Sequence, residues 1–136
     1  MASLCLPSSL REGILVHARI EAPRECCGVL IGCAEGAKLR VESVRPGRNL
    51  ADDPTRRYTI DPKILFEAHR TARDRGGEVL GYYHSHPSSP AVPSAEDRDG
   101  AWAGARHLIV GVREGVTEIR CWLFDSEPRE EEILPC

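Results

Sequence analysis

The stretch that decides the fold runs Glu78-Val79-Leu80-Gly81-Tyr82-Tyr83-His84-Ser85-His86-Pro87. Its aliphatic and aromatic content, its length, and a proline that cannot continue a hydrogen-bonded ladder mark Glu78–His86 as a central strand. Immediately upstream, Asp61-Pro62 opens a helix, because Asp is a favoured N-cap and Pro suits the first helical position. Ile64, Leu65, Ala68 and Ala72 supply its buried face, and Gly76-Gly77 ends it. Further back, Arg57–Ile60 is a short extended piece and 48–56 a polar loop. Lys38–Val44 alternates as a half-buried strand, and Cys26–Cys33 is an apolar run of strand length. A first helix begins at Pro7-Ser8-Ser9, carries Leu10, Ile14 and Ala18 at helical spacing, and is stopped by Pro23.

Downstream of Pro87 lies a loop rich in proline and serine, to Pro93. A short helix then starts at Ser94 and is expected to reach Ala103. Strands follow at His107–Arg113 and Glu118–Phe124, and the acidic tail (Glu127-Pro128-Arg129-Glu130-Glu131-Glu132) reads as a solvated surface segment. The pattern is α/β: a mixed β-sheet flanked by helices. With no repeat, low-complexity tract or long linker, residues 1–136 are expected to form one domain.

Hydrophobic residues make up 41% and charged residues 29% of the 136 positions, the balance of a folded domain rather than a disordered chain. No apolar run approaches the roughly 18 residues that cross a bilayer. A formal charge of −3 argues against a nucleic-acid or membrane-surface binder, whose footprint is basic. The cysteines at 5, 26, 27, 33, 121 and 136 include no C-x-x-C pair, and the N-terminus lacks the pattern of a secretory signal. All six are therefore expected to be reduced thiols in a cytoplasmic protein.

The chemistry lies at the end of the central strand. His84 and His86, at i and i+2, project from one face and can reach one metal ion. Asp97, in the first turn of the following helix, offers a carboxylate oxygen. Two nitrogens, one oxygen and an open fourth position form the ligand set of a catalytic zinc, whereas a structural zinc wants four protein ligands. Taken alone, H-x-H is equally the mark of one exposed and one packed ring, and Ser94-x-x-Asp97 that of a helix cap. His17, His69 and His107 read as structural or exposed, and Trp102 as packing the short helix on the sheet. Asn49 suits either a turn or a substrate backbone.

The joint pattern of His84-Ser85-His86, seven residues, Ser94, two residues and Asp97, with Pro23-Arg24-Glu25-Cys26-Cys27-Gly28 upstream, resembles the JAMM (MPN+) family of zinc metallopeptidases. Arg57–Pro62 and Gly81-Tyr82-Tyr83 also look like that family, and the chain resembles its compact prokaryotic members. The resemblance implies a cytidine-deaminase-like fold and one Zn2+ per chain held by His84, His86 and Asp97. It implies Glu25 as the group that moves the proton of the attacking water, and Ser94 as a hydrogen-bond donor to the oxyanion. It also implies hydrolysis after the C-terminal glycine of a ubiquitin-like or sulfur-carrier protein ending in Gly-Gly, with release of cysteine from a carrier–cysteine adduct as the first expectation. Removal of such modifiers from lysines and a non-catalytic scaffold are the alternatives, and a homodimer is left open.

Overall fold

The central strand β4 (Glu78–His86) is flanked by antiparallel β2 (Cys27–Glu35) on one side and parallel β5 (Ala105–Arg113) on the other. These coordinates are a computed structural model, which describes residues 2–100 and 104–136. β3 (Lys38–Pro46) pairs antiparallel with β2, and β6 (Val116–Phe124) with β5. β7 (Pro128–Leu134) follows on β6, and β1 (Ser3–Cys5) lies parallel to both β3 and β7. The sheet therefore closes into a mixed barrel in the order β1-β3-β2-β4-β5-β6-β7.

Side-chain alternation on β2 and β4 divides the molecule in two. Leu30 and Tyr83 face one way, into a core with Leu4, Leu108 and Val110 that Ile14 and Ala18 of α1 (Ser8–Glu21) complete. Gly28 gives the Tyr83 ring its room: a Cβ there would stand 2.1 Å from Tyr83 Cε2. Val29 and Tyr82 face the other way, toward Ala68 and Ala72 of α2 (Pro62–Asp74). Asp61 caps that helix as its sequence requires, accepting the Lys63 N–H at 3.0 Å. His84 and His86 continue the Tyr82 face, so they emerge on the α2 side of the sheet.

Two expectations are corrected and one strand is added. The acidic tail forms β7: Glu127, Arg129, Glu130 and Glu132 are exposed as expected, but Glu131 turns inward, 6% exposed, and pairs with Arg106 of β5. β1, which no periodicity announces, supplies the closing strand with Leu4 and Cys5 fully buried. Cys5 and Cys136 are joined as a disulfide, against the reading of all six cysteines as reduced. The cause is topological, since the parallel β1–β7 register sets Cys5 opposite Leu134 and brings the two Cα atoms to 5.5 Å. Cys26, Cys27, Cys33 and Cys121 are free thiols.

Smaller shifts concern element ends. β2 begins at Cys27 rather than Cys26 and runs to Glu35, and β5 and β6 each start two residues early. Arg57–Ile60 makes one bridge, Ile60 to Asn49, rather than a strand. The short helix α3 spans Ala95–Gly100; its expected end at Ala103 and the packing of Trp102 lie outside the described residues. Among the described residues, no helix is long and apolar enough to cross a membrane.

Candidate metal centre

Pro87 ends β4, and the loop that follows returns α3 across the strand end. This brings His84 Nε2 and His86 Nε2 to 3.2 Å. The Asp97 carboxylate spans both, Oδ1 at 3.1 Å from His84 Nε2 and Oδ2 at 3.0 Å from His86 Nε2. Burial alone would raise the Asp97 carboxyl; hydrogen bonds from the two imidazoles outweigh it and hold the group well below the usual carboxylate range. Burial lowers His84, with Asp97 opposing.

The 87–93 loop is anchored so that it also orients His86. Trp122 Nε1 donates to the Ala91 carbonyl at 2.9 Å, and the Ala91 N–H donates to Glu118 Oε1 at 3.1 Å. Gly111 of β5 makes the close approach feasible, because a Cβ there would lie 2.2 Å from Ala91 N. The neighbouring Pro90 carbonyl accepts His86 Nδ1–H at 2.8 Å, which turns Nε2 toward His84 and Asp97.

Ser94 and Asp97 form a reciprocal cap at the start of α3. The Asp97 N–H donates to Ser94 Oγ and the Ser94 N–H to Asp97 Oδ2, each at 3.0 Å. The cap thus fixes the carboxylate, while the exposed Ser94 hydroxyl keeps its own proton to donate. Glu25 precedes β2 and is buried rather than a surface carboxylate: it is 6% exposed, and its Oε1 has no hydrogen-bond partner among the described residues. Burial pushes its carboxyl up to about 7, His86 pulling the other way and Asp97 and Glu96 adding to the rise.

A cleft of about 410 Å³ opens beside Asp97, lined by Tyr58, Ile60, Leu65, Tyr82 and His107, with Arg57 and Glu96 paired at its rim at 2.9 Å. Tyr58 stacks on the His84 ring, centroids 4.6 Å apart and planes 23° from parallel.

The donor set fits a zinc-like ion on geometry. A tetrahedral ion with bonds of about 2.0–2.1 Å spaces its ligand atoms about 3.3 Å apart, close to the separations here. His86 with its outer nitrogen bonded and an Asp97 carboxylate held ionised are arranged as ligands. Burial opposes the His86 proton, but Asp97 and the Pro90 carbonyl raise the ring above its ordinary value, so an ion would displace that proton. Among the described residues this is the grouping of His, Cys, Asp and Glu able to hold a metal ion. The family model described as prokaryotic homologs of the JAB domain matches residues 7–125. The chain belongs to the prokaryotic JAB family.

This JAB domain is 39% identical over 111 residues to a desampylase of Haloferax volcanii, covering 78% of each chain. It is 36% identical over 100 residues to a probable TtuB-protein conjugate cleaving protease of Thermus thermophilus, covering 73% of this chain and 64% of that one. It is 31% identical over 112 residues to the CysO-cysteine peptidase of Mycobacterium tuberculosis, covering 82% and 75%. A solution structure from Desulfitobacterium hafniense matches with a TM-score of 0.87 at 34% identity, over 96% of this chain and 91% of that one. A JAB1/MPN domain protein from Archaeoglobus fulgidus shares the fold, with a TM-score of 0.56 at 20% identity over 98% and 97%.

Several residues of the JAB site escape the sequence reading. His107 is buried at the cleft floor, with Nδ1 3.3 Å from the Tyr58 hydroxyl. Asn49 is buried as well: its Nδ2 donates to the Glu25 carbonyl at 2.9 Å and to the Arg57 carbonyl at 3.1 Å. Its Oδ1 accepts the N–H groups of Ala51 and Thr59. That occupies the Asn49 amide within the protein, so of its two readings the turn role holds. The sequence signals for Tyr58 are its place beside Asp61-Pro62 in the extended piece and the family resemblance of Arg57–Pro62.

Proposed function

We propose that this JAB-family chain is a zinc-dependent peptidase or isopeptidase that hydrolyses the bond after the C-terminal glycine of a ubiquitin-like or sulfur-carrier protein. The observation that carries this reading is the convergence of His84, His86 and Asp97 at 3.0–3.2 Å beside a buried carboxylate. The relatives support the substrate class, since two of their names specify cleavage of a conjugate or a cysteine adduct of a small protein.

When bound, zinc supplies Lewis acidity, polarising a carbonyl and making water a nucleophile near neutral pH. Glu25 takes the proton of the attacking water and passes it to the departing amine, a task suited to a carboxylate raised toward neutrality by burial. Ser94 Oγ–H donates to the scissile carbonyl oxygen as negative charge gathers there. The site stands at a strand end beside a proline-rich loop, where an extended Gly-Gly tail has no side chains to clash.

Identity to the desampylase at 39% and the conjugate-cleaving protease at 36%, against 31% to the cysteine peptidase, favours lysine deconjugation as a second reading beside cysteine release. The test is mass spectrometry on a Gly-Gly carrier extended by cysteine and, in parallel, on the same carrier linked to a lysine. Cleavage of either supports the class, and the preferred one assigns the leaving group. Cleavage of unrelated peptides with neither carrier cut overturns it. Wild-type protein that retains no zinc after incubation with the metal overturns the catalytic assignment.

A further inference from the structure

The two imidazoles of the centre are held in different ways. His86 is oriented by a hydrogen bond, Nδ1–H to the Pro90 carbonyl. His84 has none: its ring is fully buried and Nδ1 has no partner among the described residues. Histidines that ligate metals almost always fix their ring through a bond from the outer nitrogen. At His84 something else must resist rotation about the side chain.

The contacts around the ring identify it. Tyr58 covers one face at 4.6 Å and 23°. His107 meets the ring edge-on at 5.8 Å and 79°, and lies 3.3 Å from the Tyr58 hydroxyl through Nδ1. His107 is itself backed by Phe124 at 4.7 Å. The backbone on either side of Tyr58 is tied to Asn49, through the Arg57 carbonyl at 3.1 Å and the Thr59 N–H at 3.1 Å. The same Asn49 amide holds the Glu25 carbonyl at 2.9 Å. Tyr58 is thus a rigid plate, clamped at its backbone and braced at its tip, lying on a ring that is held at Nε2 by Asp97 but has no partner at Nδ1 among the described residues.

We propose that Tyr58 is the positioning residue that sets the ring plane of His84 by stacking, in place of an outer hydrogen bond, which His84 lacks among the described residues. This rests on the metal-centre reading above. The stacking carries the effect, so a planar ring at position 58 should suffice and an aliphatic chain should not. Cobalt(II) is the probe, because its visible spectrum reports ligand geometry and its uptake is independent of turnover.

Tyr58→Phe should keep the wild-type cobalt spectrum and an affinity within about threefold of it. Tyr58→Met should shift the spectrum and lose about 10–100-fold in affinity by chelator competition, the usual cost of removing an outer support. A folded Tyr58→Met that matches wild type in both overturns the proposal while leaving the metal centre standing. Wild type that takes up no cobalt or zinc overturns the metal reading and the proposal with it. Should Tyr58→Met fail to fold, wild-type NMR decides. Tyr58-to-His84 ring cross-relaxation equal in metal-free and metal-loaded protein supports a pre-set ring. Its loss on metal removal overturns the proposal.

Discussion

Glu25 carries a carboxylate almost out of water with one oxygen unpartnered among the described residues, a position costly for an ionised group. Its carboxyl is pushed up to about 7, against 4.5 in an ordinary setting. A raised acid holds its proton in the folded state after the unfolded chain has released it. In the metal-free protein the stability that Glu25 contributes is therefore expected to be full below pH 4.5, to fall as pH rises toward about 7, and to level off beyond, while the lowered Asp97 contributes with the opposite sign. Glu25→Gln removes the ionising group, so denaturant titrations of the metal-free variant should show this slope abolished and stability at pH 8 raised by on the order of 2–3 kcal/mol. The same variant should bind zinc normally yet lose nearly all turnover, since an amide cannot accept the water proton. Ser94→Ala should lose roughly 10²–10³-fold in kcat, measured on a carrier adduct, if its hydroxyl meets the developing oxyanion. Loss of the cap bond should add about 1 kcal/mol of destabilisation, which thermal unfolding measures separately.

Between residue and molecule stand the segments that aim the side chains. Gly111 lets the 87–93 loop lie on β5, and that loop carries the carbonyl holding His86. Gly111→Val is expected to push the loop off the strand and weaken zinc binding, measured by chelator competition, although residue 111 lies far in sequence from every ligand. Asn49→Leu should destabilise by about 1–3 kcal/mol, because it leaves the Glu25 and Arg57 carbonyls without their amide donor; a denaturant midpoint reads this directly. These segments also show what a sequence discloses. β4 and α2 are legible because Asp61-Pro62, Gly76-Gly77 and Pro87 punctuate them with residues of restricted or special backbone conformation. The spacing of His84, His86 and Asp97 is legible because strand and helix geometry make it local. β1 is too short to show a period, and β7 is disguised by a glutamate whose partner, Arg106, lies 25 residues away. The contacts of Tyr58, His107 and Asn49 are hidden for a related reason: a ring stack or a buried amide hub exists only after distant segments meet.

At the scale of the whole molecule the barrel depends on its smallest strand. Leu4, Cys5 and Leu6 are at most 1% exposed, and β1 is the seam between β3 and β7. Leu4→Ala should cost about 2–5 kcal/mol, as truncations in close-packed cores do, and should lower the thermal midpoint without altering the ligand set. The disulfide clasps the same seam, with Cys5 and Cys136 separated by 131 positions in sequence and 5.5 Å in space. The candidate metal centre, by contrast, is assembled by β4, α3 and the pieces beside them. Because β1 and β7 are parallel neighbours, a crossover linker of about a dozen residues would join them, and a circularly permuted gene becomes feasible. New ends cut at the Glu114-Gly115 turn would leave β4, its loop and the helix bearing Asp97 in one uninterrupted piece. They would also turn the most distant pairing in the sequence into a local one. Such a permutant should fold faster than the parent.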